Sequence, residues 1–188
     1  GALLNEPLSP PIKALFVYNC NPVSTAPDQN SIIRGLMRDD LFTVVHDQVM
    51  TDSAAYADIV LPATTFLEAW DVKRGYGSYV VGGVKPAIEP VGESMPNDQL
   101  FAALGRAMDF DDPQFHVSSE DCVRYVTSHL DMGNGRRPDI DAVLAGSFSR
   151  YDFPGTAPVQ FETMHPRTPD GKIHLRPLCS AINRLPGR

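Results

Sequence analysis

Positive charge is in short supply: 16 Lys and Arg stand against 23 Asp and Glu, for a formal charge of -7 over 188 residues. Binding of nucleic acid rests on cations that neutralise phosphates, so no general nucleic-acid binder is expected. A single guanine or adenine group remains open, because one base is recognised by hydrogen bonds. Long apolar runs are missing too, although 43% of the residues are hydrophobic. Nothing approaches the roughly 18 to 20 consecutive apolar residues that span a bilayer, and no membrane insertion is expected. Cysteine is scarce. Cys20, Cys122 and Cys179 are an odd number at wide spacing, which makes neither a disulfide framework nor a C-x-x-C metal knuckle. His46, His116, His129, His165 and His174 show no H-x-x-x-H or H-E-x-x-H spacing, which argues against a zinc enzyme. The glycine signatures of an NAD fingerprint, a phosphate loop and a hydrolase elbow are all absent, and no repeat recurs at any period. The opening "GALLNEPLSPP" has no basic leader and reads as the end of a helix running into a loop, as if within a larger protein.

What is present is a series of short apolar runs separated by helical pieces. Ile12 to Tyr18 is nearly continuous in apolar, β-branched and aromatic residues, the pattern of a strand buried on both faces. After a loop rich in turn formers, Asp28 can cap a helix with Ile32, Ile33, Leu36 and Met37 on one face. Leu41 to His46 is a second strand, Thr51 or Asp52 can cap one helical turn through Tyr56, and Asp58 to Pro62 is a third strand. Such alternation predicts an α/β fold: an open, mostly parallel sheet with flanking helices, Rossmann-like, followed by a helical and irregular carboxy-terminal part. The Gly- and Tyr-rich stretch Arg74 to Pro90 reads as extended or hairpin-like. A helix is expected from Asn97, its own N-cap, with Leu100, Phe101, Leu104 and Met108 as a stripe. Ser118 to Leu130 opens on a capping box with Asp121, Pro138 suits the first turn of a short helix through Gly146, and Ser147 onward is an irregular arm with a possible strand at Lys172 to Leu175.

In open α/β sheets ligands bind outside the carboxyl ends of the strands, and that edge carries Asn19, Asn21, Asp47, Thr51 and Thr64. An ionised Asp47 only accepts hydrogen bonds, so it suits paired donors such as ribose hydroxyls or the N1-H and N2 amino group of guanine. The same spacing lets Asp47 cap the following turn instead. Glu68 and Asp71, flanking Trp70, read either as an acid/base pair or, better, as a solvated helix edge beside a buried indole.

The order of "ALFVYNCNPVSTAPD", "RDDLFTVVHDQVMTDSAAYADIVLPATTFLEAWD", "KPAIEPVGESMPNDQLFAALGRAM" and "TPDGKIHL" resembles the molybdopterin oxidoreductase family, of the dimethyl sulfoxide reductase and formate dehydrogenase type. The resemblance implies a molybdopterin guanine dinucleotide cofactor carrying molybdenum or tungsten, with an iron-sulfur cluster possible elsewhere in the parent protein. It implies that residues 1–110 are part of the second nucleotide-binding α/β domain, 111–165 a helical insert and arm, and 166–188 a linker towards a β-rich domain beyond this sequence. Asn19, Asn21, His46, Asp47, Thr51 and Asn97 are then the cofactor-binding residues, Asp47 as guanosine ligand, with Asp98 a lesser alternative to Asn97. No metal ligand and no catalytic residue is assigned to these 188 residues, and no turnover is expected from them alone. The implied partners are the remaining domains of the parent and an electron-transfer partner. Apolar faces left uncovered would favour self-association, and the cytoplasm is the expected location. A free-standing guanine nucleotide-binding module and a purely structural domain are the alternatives.

Overall fold

Three of the short apolar runs lie side by side. In the computed structural model, which describes residues 5–173 apart from 76, 134, 154, 156 and 167, β1 (Ala14–Tyr18), β2 (Phe42–Asp47) and β3 (Ile59–Pro62) form a parallel sheet in that order. Tyr18 is level with His46, and His46 with Leu61, so the three carboxyl ends share one edge. The second strand runs one residue further than its apolar pattern, which makes Asp47 its last residue.

The crossover from β1 to β2 carries α1 (Pro22–Thr25) and α2 (Gln29–Leu36). Pro22 occupies the first turn of α1, where a missing N–H leaves no bond unmade. Asp28 caps α2 as expected, accepting from the Ser31 backbone N–H at 3.2 Å and its hydroxyl at 2.5 Å. Ile32 and Leu36, one turn apart, pack with Val23 and Leu41. Each such buried aliphatic side chain contributes about 1.5–3 kcal/mol. Met37 was expected on that face; it is the C-cap instead and is exposed.

Val17, Val45 and Ala54 form a second cluster against the sheet. The expectation of strands buried on both faces is not met, because Tyr18, Phe42, Ile59 and Val60 are exposed. β3 pairs only with β2 within this sheet, so its apolar residues lack the cover that an extended sheet would supply. Between β2 and β3 lies a single 3-10 turn, Ala54–Tyr56, with the Thr51 hydroxyl accepting from the Ala54 N–H at 3.2 Å.

A second, antiparallel sheet contains β4 (Asp71–Lys73), β5 (Val80–Val84) and β6 (Phe148–Arg150), with β5 central. The hairpin fulfils the sequence pattern, whereas β6 falls where an irregular arm was expected. Three residues are too few for alternation to register. The helix α3 (Asn97–Ala107) starts on time, but Pro96 is its N-cap and Asn97 its first residue. Its buried residues are Ala102 and Gly105, while Leu104 and Met108 of the expected stripe are exposed. A Cβ on Gly105 would lie 2.7 Å from the Phe115 ring, so the glycine admits the neighbouring 3-10 turn Pro113–His116. Phe101 meets the sheet, with its ring 5.3 Å from Phe16 and 5.0 Å from Tyr18.

Ser118 caps α4 (Ser119–His129) through the Asp121 N–H at 3.1 Å, and Asp139 caps α5 (Ile140–Leu144) through the Ala142 N–H at 3.0 Å. The expected short helix therefore starts two residues after Pro138. The possible strand at 172–175 extends beyond the described residues at His174. Among the described residues no helix is long and apolar enough to cross a membrane.

Candidate functional site

Because all three strands run the same way, the residues that follow them converge on one edge, and two hollows open there. The first, of about 400 Å³, is bordered by Asn19, Asn21, His46, Asp47 and Thr51. The second, of about 530 Å³, has Thr64, Thr65, Phe66 and Trp70 on one side and Asn97 and Asp98 on the other. Asn19 and Gln48 line both.

Asn19 leaves β1 with φ +54°, a left-handed conformation that Asn tolerates better than most residues. This turn presents its side-chain oxygen to Asn97, whose amide donates to it at 3.1 Å. Asn97 is free to do so because Pro96 holds the N-cap position. The sequence reading of Asn97 as its own cap is thereby corrected, and the residue joins the edge from 78 positions away.

Asp47 is half-buried, and one of its oxygens accepts from the adjacent Gln48 N–H at 2.7 Å. The other has no hydrogen bond among the described residues. The capping alternative is not met at the 3-10 turn: Ser53 is its N-cap, and its first N–H, on Ala54, bonds to the Thr51 hydroxyl and not to Asp47. Gln48 is tied down in turn, donating from its side chain to the Thr64 carbonyl at 3.1 Å.

Asn21 is near Asp47 but its side chain is occupied. Its oxygen accepts from the Ser53 hydroxyl at 2.7 Å and the Ser53 N–H at 3.2 Å, and its nitrogen donates to Asp52 at 3.4 Å. The Ser24 hydroxyl donates to the same Asp52 oxygen at 2.7 Å. Those two donors, Ser24 first, hold the Asp52 carboxyl below the ordinary carboxylate range. Asn21 therefore fixes the loop after β1 to the loop after β2.

His46 borders the first hollow but is 1% exposed, and alternation along β2 sends its side chain to the face opposite Asp47. Its Nδ1 lies 3.2 Å from the Leu61 carbonyl oxygen and must carry the proton to bond there. Nε2 is buried with no partner among the described residues. His46 and Asp47 cannot present side chains together to one ligand from the same face.

Glu68 departs from both sequence readings. It is buried, belongs to no helix, and its carboxylate is filled by three donors: Thr65 N–H at 2.7 Å, Thr65 hydroxyl at 2.6 Å and Val91 N–H at 2.7 Å. The hydroxyl and N–H of Thr65, followed by the Val91 N–H, lower its pKa, the opposite of what a proton donor near neutral pH needs. Asp71 opens β4 as an exposed residue. The T-x-x-E spacing of Thr65 and Glu68 was the missed signal, since it is the pattern by which a carboxylate reaches back to a turn. No cluster of three or more His, Cys, Asp or Glu side chains suited to a metal occurs among the described residues.

An open parallel α/β sheet with polar side chains gathered at its carboxyl edge defines the ligand-holding type of α/β domain. The chain belongs to the molybdopterin oxidoreductase family, whose model matches residues 2–107. It is 40% identical over 180 residues to a probable oxidoreductase, YoaE, of Bacillus subtilis, covering 93% of this chain and 25% of that protein. It is 31% identical over 165 residues to the dimethyl sulfoxide/trimethylamine N-oxide reductase of Rhodobacter capsulatus, covering 81% of this chain and 19% of the reductase. The fold matches that of acetylene hydratase from Pelobacter acetylenicus with a TM-score of 0.64 and 24% identity, over 91% of this chain and 22% of that one. The chain thus spans a quarter or less of the length of these relatives, and the matched stretch is a cofactor-binding domain of a molybdopterin family.

The polar groups at this edge leave hydrogen-bonding capacity for a ligand. Asp47 offers an open acceptor, Asn19 retains its amide donor, and the Thr51 hydroxyl can still donate after accepting from Ala54.

Proposed function

We propose that this chain holds the guanosine end of a molybdopterin guanine dinucleotide at the carboxyl edge of β1–β3. The observation that carries the reading is the unpaired oxygen of Asp47, held at the end of the central strand by a bond to the other oxygen. A carboxylate so placed can accept from the N1–H and N2 amino groups of guanine together, whereas adenine offers no such pair on that edge. Asn19 and Thr51 flank Asp47 as adaptable hydrogen-bonding groups, and Asn97 fixes the Asn19 oxygen. Asn21 and His46 act from behind, Asn21 by joining the two loops and His46 within the packed face of β2.

In the longer protein that the relatives represent, the molybdopterin group supplies a molybdenum or tungsten centre for redox chemistry. The part of these residues is binding and orientation. We assign no catalytic residue to them, and we expect the 188-residue chain to show no oxidoreductase turnover alone. The exposed Tyr18, Phe42, Ile59 and Val60 support contact with further domains of the longer protein, or self-association in their absence. The cytoplasm is the location this reading assigns.

The test is calorimetric titration with GDP and with ADP, on the wild-type chain and on Asp47→Ala. GDP should bind in preference to ADP, and the substitution should remove that binding while the unfolding transition stays in place. Equal affinity for the two nucleotides, no GDP binding by the wild type, or GDP binding that survives Asp47→Ala would overturn the reading.

A further inference from the structure

The two sides of the 530 Å³ hollow come from separate stretches of chain, and something must fix their spacing. One side follows β3: Thr64, Thr65, Phe66 and Trp70. The other is the start of α3, reached through residues 91–96. The stretches are bonded at three places. Near the sheet, the Met95 N–H donates to the Pro62 carbonyl at 3.1 Å and the Thr64 N–H to the Met95 carbonyl at 3.4 Å. At the far end, the Ala87 and Ile88 N–H groups donate to the Leu67 carbonyl at 2.8 and 3.1 Å. Between them sits Glu68, with one carboxylate oxygen on Thr65 and the other on the Val91 N–H.

Glu68 is the charged residue among those that make the bonds described across this seam. It is 7% exposed, and its bonds join both stretches through one rigid planar group. Charge-assisted bonds to N–H and O–H donors are stronger than the neutral backbone bonds on either side. Val91 leads in turn to Asn97, whose amide reaches the Asn19 oxygen at the head of the first hollow.

We propose that Glu68 is a positioning residue: by clasping Val91 to Thr65 it sets the placement of Asn97 against Asn19, and so the width of the edge between the two hollows. The ligand consequence rests on the cofactor reading above; the placement itself does not. Glu68 touches no ligand in this scheme and acts through the segment that it holds. Glutamine in its place has one acceptor oxygen, so Glu68→Gln can keep the Thr65 bonds or the Val91 bond but not both. Thr65→Val removes only the hydroxyl and leaves the Val91 bond intact.

Amide hydrogen exchange followed by NMR on the full chain tests this without any ligand. In Glu68→Gln, exchange at whichever of the Val91 and Thr65 N–H groups the single amide oxygen gives up should quicken about 10- to 100-fold, the loss expected for one charge-assisted bond. The contact between the Asn97 and Asn19 side chains should weaken, and Val45 in β2 should keep its protection. Thr65→Val should leave Val91 protected. Unchanged exchange at both the Val91 and the Thr65 N–H in Glu68→Gln would overturn the proposal, as would a loss shared equally by Val45, which would make Glu68 a general stability residue. Should Glu68→Gln fail to fold, native-state exchange of the wild type in graded urea decides instead. Residues 65–68 and 91–97 should open as one unit, and independent opening overturns the clasp. GDP titration of Glu68→Gln adds a separate outcome: a several-fold loss of affinity is expected, and full affinity with Val91 released would overturn the positioning role. A wild type that binds no GDP but shows the exchange pattern would defeat the cofactor reading and leave the clasp standing.

Discussion

Asp47 ends the central strand of the parallel sheet and Glu68 lies in the loop that follows β3, and the surroundings of these two carboxylates oppose each other. Glu68 is buried and has both oxygens occupied, by two donors from Thr65 and one from Val91. Asp47 is half-buried, with one oxygen fixed by Gln48 and the other open. A filled carboxylate holds a protein together, because each donor it satisfies would otherwise be left without a partner. An open one beside a hollow awaits donors from elsewhere. Residue type therefore says little about role here, and the count of answered lone pairs says much.

Substitution should separate the two roles. Asp47→Ala should lower affinity for GDP about 100-fold, the scale of losing a charged acceptor that serves two donors. The same change should leave the free energy of unfolding within about 0.5 kcal/mol, as for a residue outside the packed core. Titration calorimetry and urea unfolding measure the pair of effects. Asp47 losing as much stability as affinity would erase the contrast with Glu68. Asn21→Ala should show the reverse balance. It strands the N–H and hydroxyl of fully buried Ser53, which costs about 1–2 kcal/mol of stability. GDP affinity should fall far less than in Asp47→Ala, because the Asn21 side chain is already taken up by Ser53 and Asp52. A larger loss of affinity than of stability would make Asn21 a direct ligand contact and shift the site towards β1.

The contrast also shows where the sequence was readable. Parallel strands, their order along the chain and the carboxyl edge all follow from apolar runs separated by short helical pieces. Asn19, Asp47 and Thr51 could be placed on that edge because strand ends are local features. Family resemblance, not spacing, brought Asn97 to the same edge, and only the fold shows that Asn19 is the group it meets. The expectations that failed are those depending on what covers a surface. Tyr18, Ile59 and Val60 look like buried strand residues by type, yet all three stay exposed, Tyr18 even with the Phe101 ring against it. The stripe on α3 looks apolar at Leu104 and Met108, yet the buried residues are Ala102 and Gly105, and the Phe115 ring leaves no room for a side chain at Gly105. His46 reads as a neighbour of Asp47 and therefore of its ligand, until the period of two along a strand turns it to the other face. Glu68 was misassigned to a helix edge because its key partner, the Val91 N–H, is a backbone group, and no side-chain pattern announces it.

The smallest expected effect concerns Asp52, which joins the loops on either side of Asp47. Its carboxyl is held below the ordinary value by the Ser24 hydroxyl and then by the Asn21 amide. A group whose pKa is lower in the folded than in the unfolded chain adds stability that is fully present above the unfolded value, near 4. That contribution is lost as pH falls through the lower folded value, because the unfolded chain takes up the proton first. Wild type and Asp52→Asn should therefore differ in urea midpoint at pH 6, with the wild type higher, and converge as the pH falls towards 3. Asp52 is exposed, so solvent screening keeps the difference small. Unfolding curves for the two chains at pH 6, 5, 4 and 3 would resolve it. A gap that stayed constant over that range would mean that the Ser24 and Asn21 bonds act on Asp52 without regard to its charge, and that the loops beside Asp47 are held by geometry alone.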